Sequence, residues 1–170
     1  MNNYCWTSST CPSGFGDDTT NLCVSPCPYL NVTYGDSISG MCVKTCPNVT
    51  GASPMIYFAD PSTRLCTSTC SSTASPPLFG NNNTQTCLSK CVDVGSFADA
   101  QSTRRYCIAT CTWSGATIYY RNHHTKICVI SSGCPINYFG DNSTLDCVFS
   151  CPMVNGNQTW GYYTTRTCLQ

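Results

Sequence analysis

Seventeen cysteines in 170 residues recur in a fixed rhythm, and that rhythm leaves the chain few ways to fold. They come in pairs: Cys5/Cys11, Cys23/Cys27, Cys42/Cys46, Cys66/Cys70, Cys87/Cys91, Cys107/Cys111, Cys128/Cys134 and Cys147/Cys151, then Cys168 alone. Six of the eight pairs are spaced C-x3-C, and first cysteines return every 18 to 24 residues. Self-similarity at such a period is the mark of a repeat architecture, in which one small unit is copied along the chain. A tenth of the residues being cysteine places it among disulfide scaffolds of oxidising compartments.

A second regularity travels with the first. An aromatic stands eight residues before the first cysteine at Phe15, Tyr34, Phe58, Phe79, Tyr120 and Phe139, and ten before it at Phe97. In the last module the nearest candidate is Tyr163, five before Cys168. The aromatic is followed by Gly16-Asp17, Gly35-Asp36, Ala59-Asp60, Gly80-Asn81, Ala98-Asp99 or Gly140-Asp141, and three residues later by a hydroxyl: Thr20, Ser39, Thr63, Thr84, Thr125 or Thr144. The first cysteine is commonly followed by an aliphatic residue such as Val24, Val43 or Val148. Asp and Asn open four-residue turns by bonding back to their own backbone, and Pro61 after Asp60 suits the second position of a type I turn. Each module therefore reads as a short β-hairpin, with the aromatic on the entering strand and the first cysteine on the leaving strand. No window carries an apolar period near 3.6, so almost no helix is expected.

One two-stranded hairpin is marginal in water. A module has one or two aromatics and an aliphatic to bury, at about 1.5–3 kcal/mol each. That does not offset roughly 1–2 kcal/mol of backbone entropy for each of some twenty residues. Disulfides reduce the deficit by constraining the unfolded chain, at about 3 kcal/mol for a loop near fifteen residues. The pairing that clips each hairpin around its own turn is a ladder: Cys11–Cys23, Cys27–Cys42, Cys46–Cys66, Cys70–Cys87, Cys91–Cys107, Cys111–Cys128, Cys134–Cys147 and Cys151–Cys168. The rival is an interlaced pattern bonding alternate cysteines across adjacent modules, and sequence alone leaves both open. The ladder leaves Cys5 unpaired or linked to another chain. The expected fold is a small disulfide-rich, all-β protein: one continuous array over residues 1–170, about eight clipped hairpins forming an elongated rod. Its modules are approximately 11–23, 27–42, 46–66, 70–87, 91–107, 111–128, 134–147 and 151–168.

The segment from Cys134-Pro135-Ile136-Asn137-Tyr138-Phe139-Gly140-Asp141 through Cys147-Val148-Phe149-Ser150-Cys151, with its copies, resembles the cysteine-rich repeat proteins of protist surfaces, especially ciliate surface antigens. It is similar, more loosely, to furin-like and growth-factor-receptor cysteine-rich modules, which usually carry C-x2-C. The resemblance covers essentially the whole chain and implies an elongated extracellular stack of hairpins.

The remaining composition narrows the function. Only 9% of residues are charged, with eight Asp, no Glu, eight Lys plus Arg and zero net charge, so no electrostatic footprint for nucleic acid or anionic membrane is present. Metal-storage chains of comparable cysteine content have little use for aromatics, whereas this one has 10 Tyr, 6 Phe and 3 Trp. No apolar run reaches the roughly 18 residues of a membrane span. Met1-Asn2-Asn3-Tyr4-Cys5 has neither the basic nor the apolar region of a secretory signal, so the sequence reads as a mature form or an excerpt of a longer array. Solubility falls to 43 Ser plus Thr and 13 Asn, five of which open glycosylation sequons: Asn31, Asn48, Asn82, Asn142 and Asn157.

Candidate chemistry is sparse. His123 and His124 fall at the turn of module six, where adjacent histidines seldom chelate one ion. A cysteine nucleophile would have to be exempt from the pattern; Cys5 is, but it has no histidine nearby in sequence. No catalytic residue, metal site or cofactor is expected. The sequence favours a non-enzymatic extracellular structural glycoprotein, part of a coat, appendage or filament, whose copies associate head to tail. The competing reading is an adhesin or receptor-type recognition ectodomain, for which the Trp113 segment and the arm from Met153 to Tyr163 would be the distinctive surfaces.

Overall fold

The structure, a computed structural model, describes residues 11–28, 32–50, 55–93, 95–100, 105–111 and 115–170. Cys5, Asn31 and Trp113 lie outside them. The chain forms two compact units, Met1–Ser89 and Lys90–Gln170. Among the described residues there is no α-helix, and one 3-10 turn at Ser131–Gly133.

The first unit contains β1 (Phe15–Asp17), β2 (Leu22–Val24), β3 (Tyr34–Asp36), β4 (Met41–Val43), β5 (Asn48–Val49), β6 (Met55–Ile56), β7 (Phe58–Asp60), β8 (Leu65–Thr67), β9 (Phe79–Asn81) and β10 (Thr86–Leu88). The second contains β11 (Phe97–Ala98), β12 (Cys107–Ile108), β13 (Tyr120–Asn122), β14 (Ile127–Val129), β15 (Phe139–Asp141), β16 (Asp146–Val148), β17 (Met153–Val154), β18 (Asn157–Gln158), β19 (Trp160–Tyr162) and β20 (Thr167–Leu169). Each unit holds four module hairpins in one eight-stranded sheet, ordered β2-β1-β4-β3-β8-β7-β10-β9 and β12-β11-β14-β13-β16-β15-β20-β19. The ribbons β5–β6 and β17–β18 are side arms.

Register is constant. The aromatic faces the residue after the first cysteine, Gly faces the cysteine, and Asp faces the residue before it: Phe15↔Val24, Gly16↔Cys23, Asp17↔Leu22, and again Phe139↔Val148, Gly140↔Cys147, Asp141↔Asp146. Successive hairpins join in parallel, entering strand to the next module's leaving strand: β1 to β4, β3 to β8, β7 to β10, then β11 to β14, β13 to β16 and β15 to β20.

The turn is longer than the expected four residues. The carbonyl of the Asp or Asn accepts the N–H four residues on, as in Asn21 to Asp17, Arg64 to Asp60 and Leu145 to Asp141, each at 2.8 Å. The residue two before the first cysteine, fourth after the Asp or Asn in six modules, fourth after Tyr162 in the last and sixth after Asp99 in the fifth, adopts left-handed backbone, with φ of 54° at Asn21, 69° at Gly40, 62° at Arg64, 52° at Gln85, 54° at Arg105, 59° at Lys126, 59° at Leu145 and 54° at Arg166. The Asp side chain does bond back: Asp17 accepts the Thr19 amide (3.1 Å) and the Thr20 hydroxyl (2.7 Å), and Asp36 accepts the Ile38 and Ser39 amides. Asn81 and Asn122 play the same part.

Among the described residues eight disulfides occur, four per unit: Cys11–Cys23, Cys27–Cys42, Cys46–Cys66, Cys70–Cys87, Cys91–Cys107, Cys111–Cys128, Cys134–Cys147 and Cys151–Cys168. Each closes 12 to 20 residues, a loop length for which the chain-entropy model gives about 3 kcal/mol. The core alternates rings with these bonds. Tyr34 packs against Cys46 and Cys66 of the next module, Phe97 against Cys111 and Cys128, and Tyr120 against Cys134 and Cys147.

The last module corrects one sequence expectation. Trp160, not Tyr163, occupies the aromatic position: Trp160 faces Leu169, Gly161 faces Cys168 and Tyr162 faces Thr167, the same register as elsewhere. Trp160 is eight residues before Cys168, but Tyr162 stands where Asp was sought, which hid the alignment.

Candidate functional site: the junction between modules

The residue types that define the repeat converge where one module meets the next. Left-handed backbone at the fourth turn residue aims its carbonyl at the preceding module. There it accepts the N–H of the residue following the aromatic: Gly16 to Gly40, Gly35 to Arg64, Ala59 to Gln85, Ala98 to Lys126, Arg121 to Leu145 and Gly140 to Arg166, all at 2.7–2.9 Å. One backbone contact is thus made six times. A non-glycine residue in this conformation costs roughly 1–2 kcal/mol, so what its side chain contributes is informative.

Those side chains reach back too. Arg64 Nη2 donates to the carbonyls of Cys27 (3.3 Å), Pro28 (2.9 Å) and Thr33 (2.7 Å). Arg166 does the same one unit later, donating to the carbonyls of Cys134 (2.8 Å), Pro135 and Tyr138 (3.2 Å), with Ser132 also in reach. Gln85 Nε2 donates to Asn48 Oδ1 at 2.8 Å, and Lys126 Nζ lies 5.1 Å from the centre of the Phe97 ring. Guanidinium, amide and ammonium clasps therefore share one backbone position.

The small residue after the aromatic is a seat for a ring. A Cβ on Gly35 would lie 2.3 Å from Phe15, on Gly80 2.8 Å from Phe58, on Gly140 2.5 Å from Tyr120 and on Gly161 2.6 Å from Phe139. Tyr34 rests on Ala59 in the same way. Phe97 meets Arg121 instead, whose guanidinium sits 5.9 Å from the ring centre.

Arg121 makes the sixth module unusual. Its Nε and Nη2 grip Asp146 at 2.7 and 2.9 Å, and Nη2 also donates to the Thr144 carbonyl. His123 Nε2 lies 2.9 Å from Asp146, and its ring stands edge-on to Phe97. His124 turns away to Tyr138. The two histidines are exposed at the turn, as the sequence placed them, but the His123 ring lies between Phe97 and Asp146 while the His124 ring meets Tyr138.

Electrostatics at the turns follow from hydrogen bonding. Asp17 is buried, yet its carboxyl is held below the usual value, first by the Thr20 hydroxyl and then by the Thr19 and Thr20 amides. At Asp141 burial pushes the carboxyl up, but the Thr144 and Ser143 hydroxyls and amides outweigh it and the net shift is downward. Burial, reinforced by the Asp141 carboxylate, raises the Tyr120 phenol.

Two grooves have equivalent linings. One of about 450 Å³ runs between Asp17, Asp18 and Thr19 and the next module's Thr33, Cys42 and Lys44; another of about 300 Å³ lies between Asp141, Asn142 and Ser143 and Thr159, Cys168 and Gln170. They are products of the repeat, one at each of two junctions.

Of the described sequons, Asn48, Asn82, Asn142 and Asn157 are exposed. Asn142 and Asn48 accept hydrogen bonds through Oδ1, from the Tyr120 hydroxyl and from Gln85, while glycans attach at Nδ2. The sequon hydroxyls Thr33 and Thr159 are buried and donate to the carbonyls of Pro28 and Pro152, pinning the arm ahead of the aromatic. The left-handed position escaped the sequence reading because its occupants share no side-chain chemistry. No protein-family model, no curated protein and no solved structure matches the chain.

Proposed function

We propose that this chain is an extracellular structural glycoprotein, a segment or subunit of a surface coat, appendage or filament, without an enzymatic role. The observation that carries this reading is the junction made six times with one backbone geometry. Such arrays lengthen by adding modules that contact only their neighbours, which suits a spacer or fibre. The buried Asp and Asn residues, the rings and the arginines are engaged in building the repeat. The eight disulfides fit a secreted or extracellular protein, and among the described residues no helix is long and apolar enough to cross a membrane. The resemblance to protist surface repeats supports the same assignment. Exposed sequon asparagines offer the hydration that sparse charge does not supply.

A second reading, a recognition ectodomain of adhesin or receptor type, is favoured by the aromatics Trp160, Tyr162 and Tyr163, all exposed on the last hairpin. Electron microscopy and sedimentation of the oxidised, glycosylated chain separate the two. The structural reading expects concentration-dependent linear assemblies. A compact monomer at high concentration would overturn it in favour of recognition.

A further inference from the structure

We propose that the hydrogen bonding of the sequon hydroxyl, and not the exposure of the asparagine, decides which sequons still accept a glycan once the chain has folded. Asn48 and Asn82 are acceptors in the oxidised chain, Asn142 and Asn157 only before their modules close. The inference rests on the glycoprotein reading above and deepens it. N-glycosylation joins the Asn Nδ2 to the anomeric carbon of a lipid-diphosphate-linked oligosaccharide. Nδ2 loses one proton, and the lipid diphosphate leaves with the bonding electron pair. The acceptor must carry Ser or Thr two residues on, so the transferase has to reach that hydroxyl as well as the amide. All four asparagines are exposed, and what separates them is the state of the hydroxyl.

The two turn sequons occupy one position of the repeat. Asn82 and Asn142 stand second in their turns, and the hydroxyl that the repeat places fourth, Thr84 or Thr144, completes the sequon. The residues that open the two turns differ. Asp141 accepts the Ser143 amide on Oδ1 (3.0 Å) and the Thr144 hydroxyl on Oδ2 (2.6 Å). Asp17 and Asp36 hold the Thr20 and Ser39 hydroxyls on Oδ2 in the same way, at 2.7 and 2.6 Å. A carboxylate has two acceptor oxygens, whereas a carboxamide has one, its nitrogen being a donor. Asn81 gives its Oδ1 to the Asn83 and Thr84 amides, and the Thr84 hydroxyl pairs at the exposed surface with that of Thr86 (2.6 Å). A neutral contact of that kind is weaker than one to a carboxylate. The arm sequons divide too. Thr159 is buried and donates to the Pro152 carbonyl, as Thr33 in the second module donates to Pro28. Thr50, which completes the Asn48 sequon, is exposed. The disulfides Cys134–Cys147 and Cys151–Cys168 close the modules that hold Thr144 and Thr159. A lone hairpin without such a bond is marginal, so before closure both hydroxyls are open to the enzyme.

The test treats the full chain, made without glycans, with purified oligosaccharyltransferase and a lipid-diphosphate oligosaccharide. One sample is oxidised, with its disulfides verified by mapping, and the other is reduced and alkylated. Mass mapping reads the initial rate at each sequon. The reduced chain should be modified at all four sites. In the oxidised chain Asn48 and Asn82 should keep their rates. Asn142 should slow on the order of tenfold, the share of a hydroxyl held by a carboxylate. Asn157 should slow on the order of a hundredfold, because its buried hydroxyl is released only by local opening. Asn81→Asp installs the residue found in the first, second, third, fifth and seventh modules and leaves the Asn82 sequon intact. It should slow Asn82 roughly tenfold in the oxidised chain and leave its rate unchanged in the reduced one. If Asn142 reacts as fast as Asn82 in the oxidised chain, if Asn157 reacts equally fast in both samples, if oxidised Asn82 stays unmodified, or if Asn81→Asp changes nothing, the hydroxyl rule is wrong while the glycoprotein reading stands. If no sequon of the reduced chain is modified, both fall.

Discussion

Placing a methyl group under Tyr120 tests whether ring seating sets the spacing between modules. In Gly140→Ala the new Cβ would lie 2.5 Å from the ring, where ordinary contact begins at 3.4 Å. The ring must retreat by roughly 1 Å, and overpacking of this kind costs about 1–3 kcal/mol. The same retreat pulls the Tyr120 hydroxyl off Asn142 Oδ1, now 2.6 Å away, a further loss of about 1 kcal/mol. Ala restricts the unfolded chain more than Gly, which returns roughly 0.5–1 kcal/mol. The net expectation is a destabilisation of about 1–3 kcal/mol, read by denaturant unfolding of the oxidised chain. Gly161→Ala beneath Phe139, whose ring has no hydroxyl, should cost about 1 kcal/mol less. The decisive arm is a double-mutant cycle with Tyr120→Ala. With the ring gone, the added methyl has nothing to strike, so its cost should vanish or change sign. An equal cost in both backgrounds would refute ring seating as the role of the small residue.

Replacing Arg64 with Ala should destabilise by about 1.5–3 kcal/mol by leaving the Cys27, Pro28 and Thr33 carbonyls without their charged donor; Arg64→Gly should be roughly 1 kcal/mol milder, because it also relieves the left-handed backbone. Asp17 and Asp141 titrate below their usual value when folded, so their contribution is complete above the unfolded pKa near 4 and is lost as pH falls through the lowered folded values. Thermal unfolding between neutral pH and about pH 2 should show this acid limb, and Asp141→Asn, which keeps the acceptor used at Asn81 and Asn122, should flatten it. Intact-mass analysis of native material should exceed the bare polypeptide, with carbohydrate removed from the turns by Asn82→Gln and Asn142→Gln.

Much of the hairpin was legible because its determinants are local. Asp17, Asp36 and Asp141 bond within three residues of themselves, so their spacing from Thr20, Ser39 and Thr144 appears directly in the sequence. The aromatic and the first cysteine occupy facing strands and keep a fixed count between them. What lies between modules was not legible. The parallel pairing of β1 with β4 links residues far apart through backbone groups that every residue carries. The left-handed position holds Asn21, Gly40, Arg64, Gln85, Arg105, Lys126, Leu145 and Arg166, which no hydropathy or propensity pattern unites. Arg121 broke the Gly/Ala rule for a reason visible only in space, its grip on Asp146 in the next hairpin.

The variety at that left-handed position has a consequence for how such chains can change. The carbonyl that fastens each hairpin to its predecessor belongs to the backbone and is indifferent to residue type, so duplicated hairpins can be joined without redesign. The side chain on the same residue adds an address. Arg64 fits an arm that offers three converging carbonyls, Gln85 one that offers an amide oxygen, and Lys126 the face of an aromatic ring. Exchanging the third hairpin with the sixth would preserve every strand and disulfide, yet set a guanidinium against a ring and an ammonium against a carbonyl cluster. The order of hairpins is therefore marked at the turns that carry Arg64, Gln85, Lys126 and Arg166, while a turn carrying Gly40 joins its neighbour through the backbone alone.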